Sequence, residues 1–171
     1  MTLNRFCLLV AIAAGVAALQ GAPLHAQTCA KATGSNTCVY AVKYICGYQA
    51  PSDIEAPREP PVKPGNYATA VNIQNFHDRP VPIEVRAVIA NLGGTGKIGP
   101  LVKFTLKPLE ALEFDCTEIA KNLEQTAPFI KGFVDIISPA ILSVVAVYTA
   151  EQRGGPAPVS IDVVPQQPFA P

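Results

Sequence analysis

The chain has 171 residues, its 13 lysines and arginines are balanced by 13 aspartates and glutamates, and 49% of its residues are hydrophobic. A near-neutral chain without a basic run does not fit binding to a phosphate backbone, so we predict no nucleic-acid partner. The apolar content is that of a folded domain and excludes a largely disordered chain.

The first 26 residues have the three parts of a secretory signal peptide. Arg5 provides the positive charge, residues 7–19 form the apolar segment, and residues 24–26 (LHA) form the cleavage site. Cleavage after Ala22 and retention as an anchor helix are the alternatives, but the apolar segment is short for a membrane span. We therefore predict export to the periplasm or the exterior of a bacterium, with no membrane span in the mature form.

The mature chain of about 145 residues is long enough for one domain and short for two. Without Arg5 its charge is about one unit negative. We predict a single β-sandwich domain over residues 27–165 and a mobile tail over residues 166–171.

The mature chain keeps four cysteines, Cys29, Cys38, Cys46 and Cys116. An even number in an exported chain indicates disulfides, and four cysteines allow three connectivities. We favour Cys29–Cys38, which closes a small N-terminal loop, and Cys46–Cys116, which ties an early strand to the middle of the domain. Free thiols are the alternative. No metal site is expected, because the chain has no CxxC motif and His77 is the one histidine outside the signal peptide.

Alternating apolar and polar residues, interrupted by turn residues, predict short antiparallel strands. We expect strands at about residues 39–48, 66–76, 82–91, 101–106, 111–115 and 159–164, besides two within 131–151. Asp115 is expected to cap a short helix over residues 116–124, with Glu118 completing a capping box. The pattern predicts an all-β fold, an antiparallel, immunoglobulin-like β-sandwich of about seven to eight strands with one short helix.

The stretch Lys131–Glu151 is the richest in apolar and β-branched residues outside the signal peptide. Two apolar runs are separated here by Ser138-Pro139-Ala140, and Pro139 excludes one continuous helix. Because β-branched side chains fit a pleated surface, we predict a hairpin whose two strands occupy the centre of a sheet. Burial in the core is the default interpretation, and a face covered by another subunit is the alternative.

Residues 91–98 (NLGGTGKI) superficially look like a phosphate-binding loop. Asn91 occupies the first glycine position, however, and Ile98 stands where a serine or threonine would bind magnesium. Gly99 and Pro100 also prevent the helix that should follow. We predict a glycine-containing connection between strands here, and no cofactor.

The turn at residues 77–80 contains His77, Asp78 and Arg79, which invite a catalytic interpretation or a loop contact with a partner. Adjacent residues point apart, so His77 and Asp78 do not form a base and its orienting acid by themselves. No GxSxG nucleophile elbow occurs in the chain. We therefore predict no catalytic residues and a solvated turn.

Five segments carry a resemblance: YICGYQ (44–49), PGNYATAVNIQN (64–75), EFDCTEI (113–119), KGFVDI (131–136) and VVAVYT (144–149). As a set they resemble a family of small exported bacterial β-domain proteins of unestablished function. The resemblance implies one secreted β-domain and carries no catalytic residue. It places Cys46 and Cys116 in recurring motifs, which supports their pairing. At the level of the fold alone, the order of elements is similar to the β-sandwich of sensory-rhodopsin-transducer-like proteins.

These patterns indicate a non-enzymatic exported module that binds a protein partner, or associates with itself, through a sheet face, a sheet edge or a loop rim. A small periplasmic enzyme and a carrier of an apolar ligand are the alternatives. The enzyme would need a concave pocket around His77, Asp78, Arg79 and Glu84. The carrier would need an internal cavity between the sheets.

Overall fold

The computed structural model describes residues 30–32, 35–50, 62–91, 93–151 and 159–165. The predicted signal peptide and the predicted tail lie outside these ranges. In chain order the elements are β1 (Ala30–Ala32), β2 (Ser35–Gln49), β3 (Gly65–Gln74), β4 (Val81–Asn91), β5 (Gly94–Ile98), β6 (Val102–Leu106), β7 (Ala111–Asp115), α1 (Cys116–Asn122), β8 (Phe129–Ser138), β9 (Ser143–Glu151) and β10 (Val159–Val163).

The strands form an antiparallel β-sandwich with one short helix, as the alternation predicts. The first layer has β2, β8 and β4 at its centre. β1 lies beside the start of β2, and β5 and β6 share the outer edge of β4. The second layer has the order β10–β9–β3–β7. The two layers join at one corner, where the end of β2 pairs with the start of β3.

Side chains alternate between the interior and the outside along each central strand. On β8, Val134 and Ile136 are buried, and on β9 so are Val144 and Ala146, whereas the residues between them are not. The largest fully buried side chains come from both layers and from the region of α1: Tyr40, Tyr44, Ile73, Ile83, Ile119, Leu123 and Ile136. Large side chains thus fill the space between the layers.

Gly47 is the residue at which β2 changes partner, since it faces Phe129 of β8 and Tyr67 of β3. Its φ is +97°, and a Cβ atom there would lie 2.0 Å from the carbonyl oxygen of the residue before β8. Only glycine fits such a position. Just before the corner, the Thr69 hydroxyl accepts from the Ile45 N–H and donates to the Ile45 carbonyl oxygen, both at 3.0 Å. These two hydrogen bonds connect β2 of the first layer to β3 of the second.

A disulfide joins the layers beside this corner. Cys46 and Cys116 are bonded, with 5.6 Å between their Cα atoms, which confirms the predicted pair. Cys38 is also disulfide-bonded. Its predicted partner, Cys29, lies outside the described residues, so that pair stays a prediction.

Helix α1 begins at the residue that the capping pattern predicts. The Asp115 carboxylate accepts from the first-turn N–H groups of Thr117 and Glu118, the nearer at 2.8 Å. At the other end, the Asn122 side chain accepts from the Ala87 N–H at 2.8 Å. The last turn of the helix is thereby fixed to β4 of the first layer.

The predicted hairpin over Lys131–Glu151 is wrong. β8 pairs with β2 and β4, whereas β9 pairs with β3 and β10, so the two strands lie in different layers. The connection after Ser138 crosses from one layer to the other, and there the Leu142 N–H donates to the Tyr40 hydroxyl at 2.8 Å. Two apolar strands can pair side by side or pack face to face, and hydrophobic periodicity does not distinguish the two arrangements.

Two strands, β1 and β5, are absent from the sequence prediction. β5 contains glycines that we expected to serve only as a connection between strands. Gly93 does turn the chain, with φ of +69°, but Gly96 lies within the strand. A Cβ atom at Gly96 would be 1.9 Å from the Ile89 carbonyl oxygen, so the close approach of β4 and β5 requires glycine.

Candidate functional site

The loop between β3 and β4 carries the residues that invited a catalytic interpretation. Asp78 and Arg79 are exposed, and His77 is half-buried. The His77 Nε2 atom lies 2.6 Å from the Ile141 carbonyl oxygen, and its ring stacks on Phe76 with 4.4 Å between centroids. His77 is therefore held against the connection between β8 and β9. Contact of this loop with a partner stays a prediction.

Asn75 explains why this loop has a defined shape. Its buried Nδ2 atom lies within 3.0 Å of the carbonyl oxygens of Arg79, Leu106 and Lys107. Its Oδ1 atom accepts from the His77 N–H at 2.9 Å. One side chain thus joins the β3–β4 loop to the β6–β7 turn. The sequence gives no sign of this role, because an asparagine after a strand is an ordinary turn residue.

Glu84, the fourth residue of the enzyme hypothesis, lies on the outer face of β4. Its carboxylate pairs with the Lys103 Nζ atom at 3.4 Å. Both residues line a surface cavity of about 470 Å³ formed by β4, β6 and the end of β8, and none of His77, Asp78 or Arg79 belongs to its lining. The structure does not bring the four residues together.

The outer face of the first layer mixes apolar and charged side chains, and several of its charged groups contact one another or a ring. The Arg86 Nε atom lies 3.0 Å from the Asp135 carboxylate, across the β4–β8 pair. The Lys43 Nζ atom lies 5.8 Å from the ring centroid of Phe133, on the neighbouring strand. The salt bridge and the ammonium group over the Phe133 ring make this face partly polar, and these charged groups already have partners on it.

The outer face of the second layer has a different character. The cross-strand registers place three rows of residues on it. The rows are Val159–Thr149–Ala68, Ile161–Val147–Ala70 and Val163–Val145–Asn72. We call these nine residues the β10–β9–β3 patch. The patch contains no charged side chain and only two polar ones, so it is the most uniform apolar surface on the described outer faces.

β10 is the most exposed part of the patch. Val159 is 60% exposed, Ile161 65% and Val163 78%. The strand pairs with β9 on one side and ends the described sheet on the other. Burying exposed aliphatic side chains against another chain is favourable, so an exposed edge of this kind suits contact with a partner.

A second cavity of about 240 Å³ adjoins the patch, with Ile45, Tyr67, Thr69 and Tyr148 among its lining residues. The Tyr148 hydroxyl donates to the Lys43 carbonyl oxygen at 3.0 Å, across the gap between the layers. Burial raises the pKa of Tyr148, and the Asp162 carboxylate raises it further. The phenol therefore keeps its proton, and can donate this hydrogen bond, to a higher pH than an ordinary tyrosine. The bond links β9 of the second layer to β2 of the first beside the patch.

The described ranges contain no cluster of three or more histidine, cysteine, aspartate or glutamate side chains that could hold a metal ion. No helix in the same ranges has the length and hydropathy that a membrane crossing would need.

No protein-family model matches the chain. No curated protein matches it either. Among solved structures, the crystal structure of Thermotoga maritima 1070 is similar to it, with a TM-score of 0.47 and 8% sequence identity over 81% of this chain and 100% of that one. So low a score carries no conclusion about this protein.

The sequence pattern predicts the last strand but does not show that it ends a sheet. The alternation of Val159, Ile161 and Val163 is visible in the sequence, and it normally means that one side of a strand is buried. Here the register with β9 places these side chains on the outer face, and the strand is exposed because it lies at the end of the described sheet. The signal that could have identified the patch is a second apolar series on β9, formed by Val145 and Val147, opposite the buried one.

Proposed function

We propose that this protein is an exported, non-enzymatic module that binds a protein partner, or associates with itself, through the β10–β9–β3 patch. One observation carries the proposal: across β10, β9 and β3, three adjoining rows hold no charged side chain and end at a strand whose aliphatic side chains are mostly exposed. On the far side of β3, Glu113 and Asp115 of β7 form a charged rim. A surface of this kind on a folded domain typically marks an interaction site.

The disulfides support export as part of the proposal. Cys46 is bonded to Cys116, and Cys38 is also oxidised. Disulfides persist in the periplasm and outside the cell, whereas the bacterial cytosol keeps thiols reduced. A removable signal over residues 1–26 would place the domain there.

The other described surfaces are less suited to binding a partner than the patch is. On the outer face of the first layer Arg86 pairs with Asp135 and Lys43 lies over the Phe133 ring. The His77 loop is held by the Asn75 side chain and the Ile141 carbonyl oxygen. A partner that covered the first layer would have to compete with the Arg86–Asp135 pair. A partner that covered the patch would displace water mainly from aliphatic groups, which is favourable, and would have to satisfy only Thr149 and Asn72.

A photocrosslinking amino acid tests the proposal in cells that export the protein. We expect a probe in the middle row of the patch, at Val147 on β9 or at Ile161 on β10, to give a discrete covalent adduct. The matched control is Val88, a half-buried valine on the outer face of the first layer. At Val88 we expect no adduct.

Two results would contradict the proposed function. One is the absence of any discrete adduct both from position 147 and from position 161, its neighbour in the same row on β10, in folded, oxidised protein. The other is an identical set of adducts from positions 147 and 88, since that would show collision without a preferred face.

A further inference from the structure

The free edge of β10 carries the backbone groups of the same residues that expose aliphatic side chains. The Val164 N–H donates to the Val144 carbonyl oxygen at 2.9 Å, in register with the β9–β10 pair. Hydrogen-bonded and non-bonded positions alternate in an antiparallel ladder. The N–H and C=O groups of Val159, Ile161 and Val163 therefore point away from β9, toward an edge that no described strand occupies.

An open edge of this kind normally carries protection in a natural sheet, such as a lysine, a proline or a bulge. Within Val159–Val163 the residues are VSIDV, and the register with β9 has no irregularity. Asp162 is the one charge, and it lies on the inner side of the sheet, opposite Ala146. An inward-pointing charge on a short strand itself discourages pairing. What this edge leaves open among the described residues is a register that gives Asp162 a polar partner.

The five residues of β10 are self-complementary when two copies of the strand pair antiparallel. The series apolar, polar, apolar, polar, apolar reads the same in both directions. An antiparallel pairing centred on Ile161 sets Ile161 opposite Ile161 of the second copy, and Val159 opposite Val163. Ser160 then faces Asp162, so each carboxylate meets a hydroxyl that can donate to it, and no two like charges are opposed.

We propose that two copies of this chain pair through β10, antiparallel and centred on Ile161, so that the second layers of both molecules form one continuous sheet. This pairing rests on the proposed function and names its partner, a second copy. Val159, Ile161 and Val163 exchange N–H···O=C hydrogen bonds with the same three residues of the second copy. The two patches then adjoin on one face.

The pairing is weak and concentration-dependent. A five-residue edge buries less than the roughly 1,600 Å² of a standard stable interface. Its specificity comes from register, since a slip by one residue would place the aliphatic side chains of one strand on the opposite side of the sheet from those of the other. A slip by two residues would bring fewer of them together.

Cysteine substitution tests the register. In the proposed pairing the two Ile161 residues face each other, within disulfide reach, so Ile161→Cys should form a covalent dimer on mild oxidation. Val159→Cys is the matched control on the same strand and is similarly exposed. The two 159 positions would lie about 14 Å apart, too far for a disulfide. We expect Val159→Cys to remain monomeric, and mass analysis should show the Cys46–Cys116 bond intact in both variants.

A charge pair at Ser160 tests the same register without a covalent bond. Ser160→Lys would set a lysine opposite Asp162 twice in each dimer, whereas Ser160→Asp would oppose like charges twice. In sedimentation equilibrium we expect the dimerisation constant to rise with lysine and fall with aspartate, by roughly two- to tenfold each.

Several outcomes would overturn the pairing. They are equal cross-linking of the two cysteine variants, no cross-linking of Ile161→Cys, or changes of the same direction with lysine and aspartate. The probes at Val147, on the covered face, and at Ile161, on the paired edge, separate this failure from failure of the proposed function. An adduct of a mass other than the dimer would leave the interaction surface standing and remove self-pairing, whereas the absence of both adduct and dimer would remove both.

Discussion

Tyr40 and Tyr44 lie on the same strand, face the same interior and differ in how their hydroxyls are satisfied. The Tyr40 hydroxyl accepts from the Leu142 N–H at 2.8 Å and lies 3.3 Å from the Leu142 carbonyl oxygen. The Tyr44 hydroxyl is buried and has no hydrogen-bond partner among the described residues. An unsatisfied buried polar group costs about 1–3 kcal/mol. Replacing each by phenylalanine therefore compares the loss of a hydrogen-bonded hydroxyl with the loss of an unsatisfied one.

We expect Tyr40→Phe to lower the free energy of unfolding by about 2 kcal/mol, because it leaves the Leu142 backbone without its partner. Tyr44→Phe should leave the free energy of unfolding unchanged or raise it, since it removes a group that is not satisfied. Urea denaturation of the oxidised protein measures both. A larger loss for Tyr44→Phe than for Tyr40→Phe would show that the described surroundings of Tyr44 are wrong.

The pH dependence of Tyr44 has a definite sign. Burial raises the pKa of Tyr44 from the ordinary 10.0 to about 12. The folded state thus holds the proton more tightly than the unfolded state. The corresponding stability is fully present below pH 10 and is lost as the pH rises toward 12. We expect the free energy of unfolding of Tyr44→Phe to fall less than that of the parent between about pH 9 and pH 11. Equal losses in the two proteins would contradict this assignment.

At the scale of elements, the corner between β2, β3 and β8 is the point where the sandwich is most sensitive. Gly47→Ala combines a positive φ with a Cβ atom 2.0 Å from a backbone oxygen. We expect a loss of about 3 kcal/mol in the free energy of unfolding, since neither the strand nor the oxygen can move freely.

Gly94→Ala is the control for this substitution. It lies in β5, where an added Cβ atom meets nothing within 4 Å and φ is not positive. We expect its effect to stay within about 0.5 kcal/mol, as for other surface substitutions. Chemical denaturation of both variants under oxidising conditions compares them. Similar losses at the two positions would show that the corner is not as tight as its geometry implies.

The elements also show where sequence reasoning succeeds. β4, β7 and the Asp115 cap were predictable, because alternation and capping are local chemistry. The pairing of β8 with β2 was not, because the residues of Lys131–Glu151 are apolar enough to suit either a hairpin or two layers. Pro139 identified the break between the strands but carried no information on the direction in which the chain continues.

At the scale of the whole molecule, the all-β sandwich and the Cys46–Cys116 bond are predictable from the sequence, but the surface that we propose as the site is not. Fold class follows from periodicity, which the chain shows along its length. An interaction surface depends on which strand ends a sheet and which face is left uncovered. Val159–Val163 has the same alternation as a buried strand, and only its position beside β9 makes it an exposed edge.

Amide hydrogen exchange of β10, followed by NMR at increasing protein concentration, most directly tests whether this strand presents a free edge and an apolar face to another chain. In dilute protein we predict protection for the amides of Ser160 and Asp162 and fast exchange for those of Val159, Ile161 and Val163, which should become protected as the concentration rises. Slow exchange of all five amides in dilute protein would mean that the edge is covered within one chain. Fast exchange of those three amides at every concentration would contradict pairing through β10.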